Sequence, residues 1–154
     1  MTNPKALEKF TSKLGYSFAD MGLLTRALRH ASLDVDDDNE QLEFLGDRVL
    51  GLVIAEDVMR RYPHEKEGDL ARRLSQLVSR KICAEVAREL DLGSVMQADK
   101  GASTKAGMTA NILANACEAV LGAIYLDGGL GAAHDVIMAH WAPHYDKQVE
   151  APID

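Results

Sequence analysis

Apolar residues recur along this 154-residue chain at intervals of three and four, the spacing that gives an α-helix one buried face. Between residues 39 and 61 the stripe is Leu42, Leu45, Val49, Leu52, Val53 and Met59. Asp38 or Asn39 is suited to cap its start, and Tyr62-Pro63 ends it. A second stripe, Leu70, Leu74, Leu77, Val78, Ile82, Val86 and Leu90, predicts one continuous helix over 67–92, with Gly93 as its stop. Residues 4–14, 18–30, 109–126 and 131–145 read as further helices, parted by Gly15, by the DVDDD run from Asp34 and by Asp127-Gly128-Gly129. Residues 94–109, with Gly101 and Gly107 and little periodicity, read as a mobile connector. Six helices without a strand pattern predict an all-α fold.

Composition narrows this picture. The length is that of one domain, and 47% hydrophobic with only 5% aromatic residues favours packed helices over a sheet. The longest uninterrupted apolar runs, 49–55 and 119–126, are far shorter than a membrane span, and MTNPKALEKF lacks the apolar core of a signal peptide. A cytoplasmic protein with no membrane partner is expected. Cys83 and Cys117 stand alone and read as buried thiols. His140 and His144 are four apart, but Pro143 between them argues against a regular helix and a shared metal site.

The net charge of −7 argues against a nucleic-acid partner until its distribution is considered. Seven acids lie between Asp34 and Asp47 without one base, whereas residues 60–81 hold seven bases (Arg60, Arg61, Lys66, Arg72, Arg73, Arg80, Lys81) against three acids. A phosphodiesterase that uses metal ions needs both kinds of region: carboxylates hold the cations and bases hold the polyanion. The bases would equally suit an ordinary solvated helix face.

Glu40, Glu43 and Asp47 share one helix face, within about 60° of one another. Like charges at that spacing repel, and a bound cation would relieve them. The helix dipole also favours Glu40 and Glu43 near an N-terminus, but it accounts poorly for Asp47, two turns in. In TANILANACEAVLGAIYL, Glu118 is the only ionisable side chain besides Cys117 and Tyr125, and Asn115 lies three residues earlier on the same face. Burying a lone carboxylate there is costly unless it is paired or metal-bound. An oxygen-rich set of this kind suits Mg²⁺, with Mn²⁺ as a substitute.

NEQLEFLGDRVL, EGDLARRLSQLVSR and ILANACEAVLGAIYLDGG, in that order and at that spacing, resemble the motifs of the ribonuclease III catalytic domain. The resemblance covers nearly the whole chain. It implies an all-α endonuclease fold of about six or more helices, a symmetric homodimer, and cleavage of double-stranded RNA to 5′-phosphate and 3′-hydroxyl ends. Position by position, Glu43, Asp47 and Glu118 match the metal ligands, with Asp47 and Glu118 at the catalytic centre. Glu40 and Glu67 match further acidic positions near the subunit interface, and Phe44 matches a residue that packs into the partner subunit. The family's remaining ligand is an Asp where this chain has Asn115, an uncharged and weaker oxygen donor, so impaired rather than abolished cleavage is expected. Arg72, Arg73, Lys100 and Lys105 are the candidates for RNA backbone contacts.

Residues 1–148 are expected to form the catalytic domain and 149–154 the start of a linker or tail. The double-stranded-RNA-binding domain that usually follows in bacterial members is expected to be missing, as in a shortened form, leaving low and strongly salt-dependent RNA affinity. Two rival readings are a non-catalytic RNA-binding or dimerisation module of the same fold, favoured by Asn115, and an all-α nucleoside-triphosphate pyrophosphohydrolase. The latter would have no use for the LEFLGD and EGDL segments.

Overall fold

A computed structural model of the chain describes residues 3–98, 109–148 and 151–152. Lys100 and Lys105, most of the expected connector, and 149–150 and 153–154 of the expected tail lie outside the described residues. Six α-helices are described: α1 Pro4–Leu14, α2 Met21–Ala27, α3 Glu40–Arg61, α4 Glu67–Leu77, α5 Arg80–Glu89 and α6 Ala110–Tyr145. Short 3₁₀ turns at Ala31–Leu33 and Leu92–Ser94 complete the regular structure, and a single parallel bridge joins Arg29 to Gln97 among the described residues.

Local chemistry explains most of the boundaries. Asn3 Oδ1 accepts from Lys5 N (2.8 Å) at the start of α1, and Gly15 ends that helix with φ 80°, a left-handed conformation that glycine takes without strain. α2 is shorter than the expected 18–30 because Asp20 caps it, accepting from Gly22 N at 2.9 Å. Of the two candidate caps of α3, Asp38 acts, accepting from Glu40 N at 3.0 Å. Asn39 is buried instead, and its Nδ2 donates to the Ala27 carbonyl (3.2 Å), tying α3 to α2.

The single helix expected over 67–92 is two helices. Val78 leaves α4, and Ser79 is extended (ψ 158°), its Oγ accepting from Ile82 N at 3.3 Å to cap α5. The apolar repeat runs through this break because Leu77 and Ile82 are buried on both sides of it, so periodicity alone does not report it. The expected stop at 127–129 is a kink within α6, where Gly129 has φ 88° and ψ −179°. Asp127 anchors that corner to the loop after α1, accepting from Tyr16 Oη (2.6 Å), Ala19 N (2.9 Å) and Asp20 N (2.8 Å).

α6 continues through Pro143 to Tyr145, against expectation. The carbonyl that Pro143 leaves without an N–H partner is that of Ala139, an exposed residue of the helix. His140 bonds the Leu14 carbonyl at 2.9 Å, whereas the buried His144 lies 3.5 Å from both Glu85 and Glu89, so the two histidines share no site. Cys83 and Cys117 are free, buried thiols.

The core is organised around α6, which packs along α3 and α5. α6 has the length and hydropathy a membrane-crossing helix would need, yet Ala116, Ala119, Val120, Ala123, Ile124 and Ile137 are buried against the other helices. α3 and α6 cross in direct backbone contact at Gly46 and Gly122. A Cβ on Gly46 would stand 2.9 Å from Gly122 N and would overlap the Glu118 carbonyl oxygen, and one on Gly122 would overlap the Leu42 carbonyl oxygen. That close approach places Glu43 and Asp47 of α3 beside Glu118 of α6.

Candidate active site

The crossing opens into a cleft of about 310 Å³ lined by Glu40, Glu43, Phe44, Asp47, Arg48, Arg80 and Glu118. α3 supplies the first five from successive turns of one face, α5 supplies Arg80 at its first residue, and α6 supplies Glu118. Glu118 is only 8% exposed. Its carboxyl is pushed up to about 8, first by burial, then by a hydrogen bond with Asp47 and by the negative charges of Asp47 and Glu43, with Arg80 pulling the other way. Glu43 is also raised, by burial first; Arg80 opposes that shift, and Glu40 and Asp47 add to it. Beneath them the Cys83 thiol is driven up to about 12 by burial, then by the charges of Glu118 and Asp47.

These carboxyl groups therefore crowd one another in a partly desolvated place. Among the described residues no three His, Cys, Asp or Glu side chains are gathered closely enough to hold a metal ion as they stand. Besides its hydrogen bond with Glu118, Asp47 accepts from Arg48 at 2.7 Å, and Arg48 in turn stacks over the Phe44 ring, 4.2 Å from its centroid. An open arrangement of a few carboxylates suits Mg²⁺, which keeps several of its waters, better than a metal that needs a closed N/S cage.

The other sequence-derived candidates divide. Asn115 lies one helical turn before Glu118, and its Oδ1 accepts from Arg80 Nη1 at 2.6 Å. Glu67 opens α4, is exposed, and is not among the residues lining the cleft. Phe44 is 63% exposed, on an α3 face that also presents Leu52 and Met59, each 58% exposed.

Arg73, one of the candidate RNA contacts, is buried and already paired. It is 1% exposed, gripped by Glu65 through two hydrogen bonds (2.6 and 2.7 Å) and stacked 3.6 Å from the Tyr62 ring centroid. Arg72 is half-buried and pairs with Asp69 of its own helix at 2.5 Å. Arg60 and Arg61 likewise pair with Glu56 and Asp57, so much of the basic character of 60–81 is neutralised locally. Sequence reasoning missed Arg80 and Arg48 as parts of the cleft. Ser79, a good N-cap residue directly before Arg80, was the available signal that a new helix begins there.

A family model described as ribonuclease-III-like matches residues 20–145, the span that holds the whole cleft. The chain belongs to the ribonuclease-III-like family. Among its family relatives, a protein named ribonuclease 3 from Jannaschia sp. (strain CCS1) is 46% identical over 145 residues, covering 92% of this chain and 64% of the relative. Ribonuclease 3 of Caulobacter vibrioides is 47% identical over 143 residues, covering 90% of this chain and 62% of the relative. The chain thus spans somewhat less than two thirds of the length of these relatives. In structure, the nuclease domain of ribonuclease III from Campylobacter jejuni superposes with a TM-score of 0.87 at 35% identity, covering 91% of this chain and 99% of that one. The family fold, six helices around the α3–α6 crossing, is therefore the one expected from the sequence.

Proposed function

We propose that this chain is a metal-dependent endoribonuclease domain that hydrolyses double-stranded RNA, acting as a homodimer in the cytoplasm. The observation that carries the reading is the convergence of Glu43, Asp47 and Glu118 at the α3–α6 crossing, with the Glu118 carboxyl pushed up to about 8. Burial first, and then neighbouring negative charge, holds the Glu118 and Glu43 carboxyls above their ordinary range; a cation between them would relieve both, and the oxygen-only donor set fits Mg²⁺ or Mn²⁺. A bound cation would supply an activated water and charge stabilisation at the scissile phosphate.

The chain's own residues do the rest. Glu118, held rigidly in a buried turn of α6, and Glu43 and Asp47 on α3 would hold the cation between two helices whose spacing the glycine crossing sets. Glu40 at the rim adds negative charge without burial. Arg48 and Arg80 place positive charge on the cleft wall, where a phosphate would otherwise meet only carboxylates. Recognition of A-form RNA would rest on shape, phosphates and 2′-hydroxyls.

The exposed α3 face of Phe44, Leu52 and Met59 supports the dimer reading, since three large apolar side chains on one helix face favour burial against a partner. The Campylobacter jejuni nuclease domain shows structural flexibility in a region involved in its dimer formation, so a dimer has a precedent in a protein of this fold. In such a dimer, Phe44 would pack into the partner and Glu67 would stand near the interface. Residues 1–148 would constitute the catalytic domain.

The test is cleavage of a long RNA duplex in a Mg²⁺ and Mn²⁺ titration, with the ends of the products characterised and the Glu118→Gln variant alongside. Metal-dependent products with 5′-phosphate ends, lost in the variant, are expected; equal cutting by the variant would sink the assignment. The specific observation favouring a second reading, a non-catalytic duplex-binding module, is the uncharged Asn115. Duplex binding without cutting at any metal concentration would select it.

A further inference from the structure

We propose that in this chain Asn115 is not a metal ligand but the residue that positions Arg80, and that the Arg80 guanidinium makes the contact with the RNA phosphate at the cleft. The inference rests on the metal-dependent RNA reading above and assigns two residues within it.

An asparagine can ligate a hard cation through one atom only, its Oδ1, because the amide nitrogen has no lone pair to give. In this chain that oxygen accepts from Arg80 Nη1 at 2.6 Å, a short, charge-assisted bond that uses one of its two lone pairs and sets a positive charge against it, which disfavours a metal cation at the same atom. Arg80 is well placed to be held. It is the first residue of α5, directly after the Ser79 cap, so its backbone is set by the helix start. Its guanidinium carries five N–H donors, and Asn115 uses one of them.

Arg80 also differs from the other arginine of the cleft. Arg48 is committed to Asp47 and to the Phe44 ring. Arg80 forms no ion pair among the described residues, although its charge reaches Glu43 and Glu118 and eases the ionisation of both. A cation in an acidic cleft, tethered by a neutral amide and with donors to spare, is arranged to meet an incoming anion. An aspartate at 115 would form an ion pair with it; an amide orients it without discharging it. The anion that fits is a phosphodiester, which a guanidinium can bind through two parallel hydrogen bonds.

The experiment compares the unmodified chain with Asn115→Ala, Arg80→Gln, Arg80→Lys and the Asn115→Ala/Arg80→Gln pair. Each is first checked for unchanged helicity and melting by circular dichroism. Mn²⁺ affinity is measured by calorimetry without RNA, and binding of a fluorescent RNA duplex in Ca²⁺ by anisotropy over a salt series.

Expected are Mn²⁺ affinities for Asn115→Ala within about twofold of the unmodified chain, and for Arg80→Gln equal or tighter, since a positive charge has left the site. Duplex affinity falls by roughly tenfold in Arg80→Gln, with the slope of log K against log salt reduced by about one per protomer. Arg80→Lys recovers the slope but only part of the affinity, because an ammonium cannot make the two-pronged contact. Asn115→Ala weakens duplex binding less than Arg80→Gln does, and adds nothing in the Arg80→Gln background.

A loss of Mn²⁺ affinity of tenfold or more in Asn115→Ala would make Asn115 a ligand and overturn the inference. Unchanged duplex affinity and salt slope in Arg80→Gln would overturn it too. If the unmodified chain binds neither Mn²⁺ nor the duplex, the metal-dependent reading itself falls, which the variant comparisons alone could not produce.

Discussion

Replacing Gly46 by alanine tests whether the glycine crossing of α3 and α6 builds the site. The added Cβ would lie 2.9 Å from Gly122 N and overlap the carbonyl oxygen of Glu118, and both atoms are backbone that cannot rotate away. The helices would have to part by more than about 1 Å, and a gap of that size forfeits about half or more of the dispersion energy of each atom pair lining it. Overpacking in a tight core costs about 1 to 3 kcal/mol. Here the obstacle is backbone on a central helix pair, so the upper end, about 3 kcal/mol or more, is expected. Gly131→Ala is the control: it is also helical, its Cβ would meet nothing within 4 Å, and alanine there should stabilise by roughly 0.5 kcal/mol or more through helix propensity. Urea denaturation of both variants measures the difference. Because Glu118 itself would be displaced from Glu43 and Asp47, Gly46→Ala should also weaken Mn²⁺ binding under conditions where the variant is still folded. A Gly46→Ala protein as stable as the parent, with unchanged metal affinity, would refute the claim that backbone contact at this crossing sets the carboxylate spacing.

Glu118→Gln should stabilise the metal-free protein in a pH-dependent way. With the carboxyl near 8 in the folded state and near 4.5 when unfolded, the unfolded chain ionises first, so parent stability falls as pH rises from about 4.5 to about 8. That displacement corresponds to about 4 to 5 kcal/mol, and water in the open cleft reduces it to roughly 2 kcal/mol. In EDTA the variant's advantage should thus be nil at pH 4.5 and largest above pH 8, and stability curves that run parallel across that range would exclude it. Asn115→Asp adds a negative charge beside Glu118 and should lower the Mg²⁺ concentration for half-maximal cutting by about tenfold, even though Arg80 offsets part of the charge; an unchanged metal titration would contradict this. Arg73→Ala strips Glu65 of its partner and should cost about 3 kcal/mol in urea denaturation, as the loss of a buried pair and not of an RNA contact. Phe44→Asp places a charge on the exposed α3 face and should convert dimer to monomer in sedimentation velocity, with the circular dichroism spectrum retained.

Much of this was legible beforehand because it is local. The spacing of Glu40, Glu43 and Asp47 follows from 3.6 residues per turn, and α1, α3 and the kink after Asp127 follow from capping residues, proline and glycine. The isolation of Glu118 in an apolar helix likewise marked it for a partner. The break at Val78-Ser79 was hidden because a short extended link can keep the next helix in register with the same buried face, which leaves the apolar repeat intact. Charge counting overstated the basic segment. Whether an arginine serves a polyanion or a neighbouring carboxylate depends on the partner that folding brings to it, and folding brought Glu65 to Arg73 and Asp69 to Arg72.

The sequence by itself determined the helical class, the acidic face of α3 and the apolar setting of Glu118, since each depends only on neighbours within a few turns. Only the tertiary structure decided that these carboxylates meet, because their meeting requires two helix backbones to touch at Gly46 and Gly122, residues more than seventy positions apart. The same long-range packing sealed Arg73 in the interior and turned Arg80 toward Asn115. Burial and ion pairing act through space, so one chain can carry the same residue type to opposite roles.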